Sequence, residues 1–202
     1  HRVDRRQRQM CIRDRQYPVP GAPAVARSLA KELKSPATGA ALGVDEGEWG
    51  LDHGTWSVLK PMFPHARIPV MQLSMDYSRA PAEHYALGQQ LKALRERGVL
   101  IVGSGNIVHN LRASRRGSAA NEAYDWAAEF DTVVQEQIKK GQLGALQDFQ
   151  KLGAVAQQAH PTHEHYLPLL YAAGAVLPSE MPRFFNTGYQ SASISMRSVL
   201  WG

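Results

Sequence analysis

The chain has 202 residues, 44% of them apolar, which allows one sizeable core and excludes a chain disordered throughout. Its formal net charge of +5 is concentrated in residues 1–15, where six arginines stand against two aspartates for a net +4, so the remainder offers no basic face for nucleic acid. No apolar run reaches the roughly 18 residues of a membrane span, and a single cysteine, Cys11, supports neither a disulfide nor a thiolate metal site, so a cytoplasmic protein is expected.

Residues 1–16 have no apolar periodicity and no initiating Met, and read as a non-native or disordered tail. From Tyr17 the pattern becomes that of a folded domain. Pro18, Pro20 and Pro23 lead into the helical spacing of Val25, Leu29 and Leu33. Residues 39–45 hold a short apolar run compatible with a strand, 47–54 are loop-like, and Thr55 is placed to cap a short helix through Met62. Residues 68–75 read as an apolar strand. Residues 81–97 form an amphipathic helix with Leu87, Leu91 and Leu94 on one face, stopped by Gly98. Residues 99–102, Val-Leu-Ile-Val, have the composition of a strand buried on both faces, running into the loop Gly103-Ser104-Gly105-Asn106. Two helices broken around Gly141 are expected in 121–152, a further helical segment opens at 159–165, and 191–199 reads as a closing strand. Strands alternating with helices favour an α/β single domain with a central, mostly parallel sheet flanked by helices. In such folds ligands sit beyond the carboxyl ends of the strands.

Three of the eight histidines fall within six positions, His160, His163 and His165, and a fourth, His109, follows the 99–102 strand and its Gly-rich loop. Such a set suits metal or acid/base chemistry, because a neutral imidazole can ligate a metal through one nitrogen or move a proton near neutral pH; it equally describes solvent-exposed residues at a helix start. His165, beside Tyr166 and Leu167, is the best placed of the three to point into a cleft. His1, His65 and His84 lie in tail, loop and helix-surface contexts and receive no role. The loop at 103–106 matches neither dinucleotide nor Walker spacing, so its glycines are read as allowing close backbone approach to a ligand.

Four separated blocks then carry a resemblance: Gly50-Leu51-Asp52-His53-Gly54-Thr55-Trp56, Pro69-Val70-Met71-Gln72-Leu73-Ser74, the run Gly103 to Leu111, and the run Pro161 to Leu169, with the ending Ser193 to Ser198. In that order they resemble the class III extradiol ring-cleavage dioxygenases, the 4,5-DOPA extradiol dioxygenase group in particular, over residues 17–202. The resemblance implies Fe(II), with Zn(II) as the alternative metal, dioxygen as co-substrate and a small catechol as substrate. It implies His165 as a metal ligand, His109 as acid/base beside the metal and close enough to count as a ligand, and His53 as a donor to substrate or bound oxygen. On the charge distribution and the apolar runs described above, no nucleic acid and no membrane partner are expected. The family's Gly-His-Gly loop and Ser-Ala-His-Trp strand end do not occur here, so 17–202 is expected to be the C-terminal part of the domain, truncated at its N-terminus and inactive alone. Arg112 and Arg197 are candidates for binding a substrate carboxylate. A zinc-dependent hydrolase and a non-enzymatic binding protein on a related scaffold are the other readings.

Overall fold

The computed structural model describes residues 17–45, 50–119 and 121–202. The expectation of a disordered or non-native tail at 1–16 lies outside these residues. The chain divides into two compact units, one within His1–Lys34 and Ala40–Ser74, the other formed by Ser35–Gly39 and Met75–Gly202.

In the first unit, α1 (Pro23–Glu32) starts on a proline, whose fixed φ suits the first helical turn, and buries Leu29 and Ala30. The second helix, α2 (His53–Met62), is capped by Asp52, whose carboxylate accepts the Thr55 N–H. The cap is therefore Asp52, not Thr55. Residues 68–75 form no strand, their pairing among the described residues being the isolated parallel contact of Val70 with Gly21, and the apolar run at 39–45 contributes one antiparallel contact, Ala41 with Lys34.

The second unit carries the larger core. The expected helix at 81–97 forms as α3 (Pro81–Gln90) and α4 (Lys92–Glu96), parted at Leu91, where the N–H bonds back to Gly88 with the shorter spacing of a tight turn. Gly98 follows with φ +77°, a conformation that suits glycine and stops the helix as expected. Next come α5 (Asp125–Lys139), a 3-10 helix (Leu143–Leu152), α6 (Ala154–Ala159) and α7 (Leu167–Gly174). Their shared core includes Phe130, Val134, Ile138, Leu146, Phe149, Tyr166 and Leu170. Four short strands close the chain: β1 (Pro182–Phe185) pairs antiparallel with β4 (Ser198–Trp201), and β2 (Tyr189–Gln190) with β3 (Ile194–Ser195).

Helix and strand are both present, but the described residues are mainly helical and the sheets small and antiparallel. The central parallel sheet read from the sequence is not seen among them; parallel pairing is limited to the isolated contacts Gly21 with Val70 and Ala123 with Ala192. The reason is clearest at 99–102. Val99 and Ile101 are half-buried, but Leu100 is 60% and Val102 45% exposed, and the Val99 N–H bonds back to Leu94 in the preceding helix. A fully apolar run needs cover on both faces to become an inner strand, and this one has cover on one. Similarly, the single strand expected at 191–199 is two, β3 and β4, interrupted at Met196 and Arg197. No helix among the described residues is long and apolar enough to cross a membrane.

Candidate active site

Gly103 and Gly105 decide how the Gly-rich loop is seated. A Cβ at Gly103 would lie 2.4 Å from the Pro168 carbonyl oxygen, and one at Gly105 would lie 2.2 Å from that of His165. Both glycines thus permit close backbone approach, as expected, but to the chain's own α7 entrance and not to a ligand. The Asn106 N–H then donates to the His165 carbonyl at 2.8 Å, and the His109 N–H to the Ala159 carbonyl at 3.0 Å. On the other edge of the same segment, the Ser195 N–H donates to Val108, the Asn110 N–H donates to Ser193, and His109 bridges Ile194. Residues 106–110 are held from both sides.

This framework brings His109 and His165 ring to ring. Their centroids are 3.5 Å apart and their planes are inclined by 14°. Two imidazolium rings at that distance would repel, so the stack requires at least one to be neutral. Burial holds the His109 pKa below its ordinary value, against the opposing pull of the Glu164 carboxylate. The carboxylate of Glu164 in turn accepts the Thr162 hydroxyl at 2.7 Å. The stacking also constrains ligation. A metal lies close to the plane of each imidazole that binds it, at about 2.0–2.1 Å from nitrogen. Near-parallel rings 3.5 Å apart cannot both meet that condition for one ion.

The remaining histidines divide differently from the sequence reading. His160, not His165, is the deepest of the cluster, 1% exposed, with its Nε2–H donating to the Ile107 carbonyl at 2.6 Å and its ring boxed by Phe130, Phe149 and Tyr166. Burial pushes its pKa down to about 4. His163 meets the Phe149 ring edge-on and lies 3.4 Å from the Gln150 amide. His84 is not a surface residue: it is 2% exposed, and its Nδ1 shares a hydrogen bond with the Tyr171 hydroxyl at 2.9 Å, with burial lowering its pKa and pushing the tyrosine up to about 12. His53 is the first residue of α2 in the first unit and is exposed. Among the described residues no group of three or more His, Cys, Asp or Glu side chains is gathered to hold a metal ion.

Comparison with known proteins is decisive. Residues 4–197 match the family described as the catalytic LigB subunit of aromatic ring-opening dioxygenase. The chain belongs to this family. It is 38% identical over 193 residues to a 4,5-DOPA dioxygenase extradiol of Escherichia coli, covering 94% of this chain and 69% of that protein. It is 36% identical over 160 residues to one of Mirabilis jalapa, covering 79% of this chain and 58% of that protein. Among solved structures, the uncharacterized protein JW3007 of Escherichia coli K12 is similar with a TM-score of 0.81 and 37% identity, over 93% of this chain and 76% of the other. The chain thus spans between about half and two thirds of the length of the curated relatives it matches.

In this LigB-family chain the sequence blocks that carried the resemblance pair off within each unit. Gln72 of the second block accepts the Asp52 N–H at 3.1 Å and the Thr55 hydroxyl at 2.9 Å, joining it to the first block. The third block, 103–111, lies against both the fourth, 161–169, and the ending 193–198 through the bonds described above. Arg197, read from sequence as a cation for a substrate carboxylate, is already committed: its guanidinium donates to Asp131 at 2.6 and 2.8 Å. Asp131 itself was missed. The signal was present, since it occupies the apolar stripe of α5 with Ala127, Phe130, Val134 and Ile138, where an acid must find buried partners.

Proposed function

We propose that this chain contributes to the extradiol opening of a catechol ring by dioxygen, with His165 as a ligand to Fe(II) and His109 as the acid/base beside it. The stacked His109–His165 pair carries the proposal: its geometry allows one ring to ligate while the other stands free to exchange a proton. An imidazole ligand suits Fe(II), but one ligating ring is fewer than the three protein donors that a mononuclear site of this type usually takes, so His165 supplies part of the set. When bound, Fe(II) supplies the electron relay that lets triplet dioxygen react with a closed-shell catecholate.

The chain's own residues do the rest. Burial keeps His109 able to accept a proton near neutral pH, as a general base for a catechol hydroxyl must. His109 can later return that proton to an oxygen of the opened product. We assign His53 the role of a donor toward substrate, on the strength of its place beside Asp52 in the first block that carries the family resemblance. A catechol with a DOPA-like side chain follows from the names of the relatives. With Arg197 engaged by Asp131, Arg112, exposed in the short 3-10 helix Leu111–Ala113 just beyond His109, is the cation left to meet a carboxylate.

Equilibrium dialysis under argon tests the division of labour. His165→Ala should weaken Fe(II) binding by about tenfold or more, while His109→Ala should leave it nearly unchanged. In a form extended at the N-terminus to the length of the relatives and loaded with Fe(II), catechol-dependent oxygen uptake should fall about 10²-fold in His109→Ala. Zn(II), which has no accessible redox change, should bind the same ring and support no uptake. Equal loss of iron in both variants would overturn the assignment.

A further inference from the structure

The buried carboxylate of Asp131 lies well away in sequence from every histidine of the site, yet its hydrogen bonds fall on Tyr189 and Ser195 of the β2–β3 pair and on Arg197, and β3 adjoins the segment that carries His109. Asp131 is fully buried. Its Oδ1 accepts the Ser195 hydroxyl at 2.6 Å, and its Oδ2 accepts Arg197 at 2.6 and 2.8 Å and the Tyr189 hydroxyl at 3.2 Å. Tyr189 and Ser195 are cross-strand partners in the β2–β3 pair, so one carboxylate grips both strands. Through its backbone, Ser195 donates to Val108, its carbonyl accepts the Asn106 amide at 3.1 Å, and the adjacent Ser193 carbonyl accepts the Asn110 N–H.

We infer that Asp131 is a positioning residue for His109, acting through the Ser195 hydroxyl to fix the register of β3 against residues 106–110 and so the stack of His109 on His165. The catalytic meaning of this clamp rests on the function proposed above; the clamp itself does not. An ordinary structural ion pair would need only Arg197. Ser195 is the link to residues 106–110: its hydroxyl donates to Asp131, while its backbone N–H donates to Val108 and its carbonyl accepts the Asn106 amide. All four bonds to Asp131 are charge-assisted, two by the carboxylate alone and two by both partners, and their directionality suits register control.

The test compares two side chains of equal bulk at position 195, Ser195→Thr with the hydroxyl and Ser195→Val without it, together with Ser195→Ala, which cannot overpack. In native-state hydrogen exchange on the 202-residue chain, the amides of Asn110 and residue 195 should exchange about tenfold faster in the Val and Ala variants and at the original rate in the Thr variant. The amides of Val134 and Ile138 on α5 should be unchanged in all three. The nuclear Overhauser contact between the His109 and His165 rings should weaken in Val and Ala and persist in Thr. The proposal is overturned if Thr behaves like Val, if none of the variants alters those amides, or if exchange rises uniformly through α5. None of these readings depends on ring cleavage, so failure of the dioxygenase assignment would be seen separately in oxygen uptake.

Discussion

His160 shows what a residue's surroundings decide that its neighbours in sequence do not. The spacing of three histidines within six positions marked a candidate site, and one of the three, His165, stacks on His109. Which histidine would be buried was not legible, because that depends on Phe130 and Phe149, brought in from elsewhere in the chain. The same holds for His84, whose cover comes from Tyr171, 87 residues away. Burial has a consequence for His160. With Nε2–H donating to Ile107, the proton taken up in acid must go to Nδ1, which is buried and has no partner. Its pKa is therefore about 4, below the ordinary 6.5. The unfolded chain takes up this proton first, so the contribution to stability is whole above pH 6.5 and is lost as pH falls toward 4, by roughly 3 kcal/mol. Denaturant unfolding at pH 7.5 and pH 4.5 should show this loss. In His160→Gln, which cannot titrate, stability at pH 7.5 should be lower but the acid sensitivity smaller. An unchanged difference between the two pH values would assign the sensitivity to other groups.

At the scale of elements, punctuation was legible and pairing was not. Pro23, Gly98 and Gly141 mark a helix start and two stops where the sequence reading put them, and both stop glycines have positive φ. The strands were harder. β1 and β2 went unread because each is only two to four residues long, too short for alternation to stand out, and they form by pairing with partners downstream in the chain. Close helix packing was equally hidden. Gly88 of α3 and Gly174 of α7 face each other's backbone: a Cβ at Gly88 would lie 2.6 Å from the Tyr171 carbonyl oxygen, and one at Gly174 would lie 2.5 Å from that of Tyr85. Replacing a mid-helix glycine by alanine ordinarily stabilises by about 0.5–1 kcal/mol. Here overpacking against backbone, costing about 1–3 kcal/mol, outweighs that gain. Gly88→Ala should lower the melting temperature by several degrees. Gly144→Ala, whose new Cβ meets only the Tyr85 ring at 4.0 Å, should leave it unchanged or raise it. Calorimetry on the two variants decides the point, and equal shifts would refute the packing argument.

For the whole molecule, the family was legible because it is written in short blocks whose contacts survive in the structure, whereas the expected parallel sheet depended on a rule about composition alone. The run at 99–102 is as apolar as an inner strand, but Leu100 and Val102 face outward. The same distinction bears on metal binding. A resemblance transfers a ligand set only residue by residue, and the second unit assembles two imidazoles whose planes are nearly parallel, so that one ion meets one of them in plane. His53 belongs to the other compact unit. Open coordination positions filled by water add little to affinity, because each protein donor contributes both its bond and the organisation of its neighbours. The 202-residue chain should therefore bind Fe(II) weakly and lose it on gel filtration. Iron content should then be well below one per chain, and catechol-dependent oxygen uptake at background. Adding excess Fe(II) should restore iron binding in proportion to concentration, without the plateau of a tight site in the micromolar range. Stoichiometric iron after gel filtration, with turnover of a catechol, would mean that a third donor closes on the metal, with His160 or His163 the first to replace by alanine.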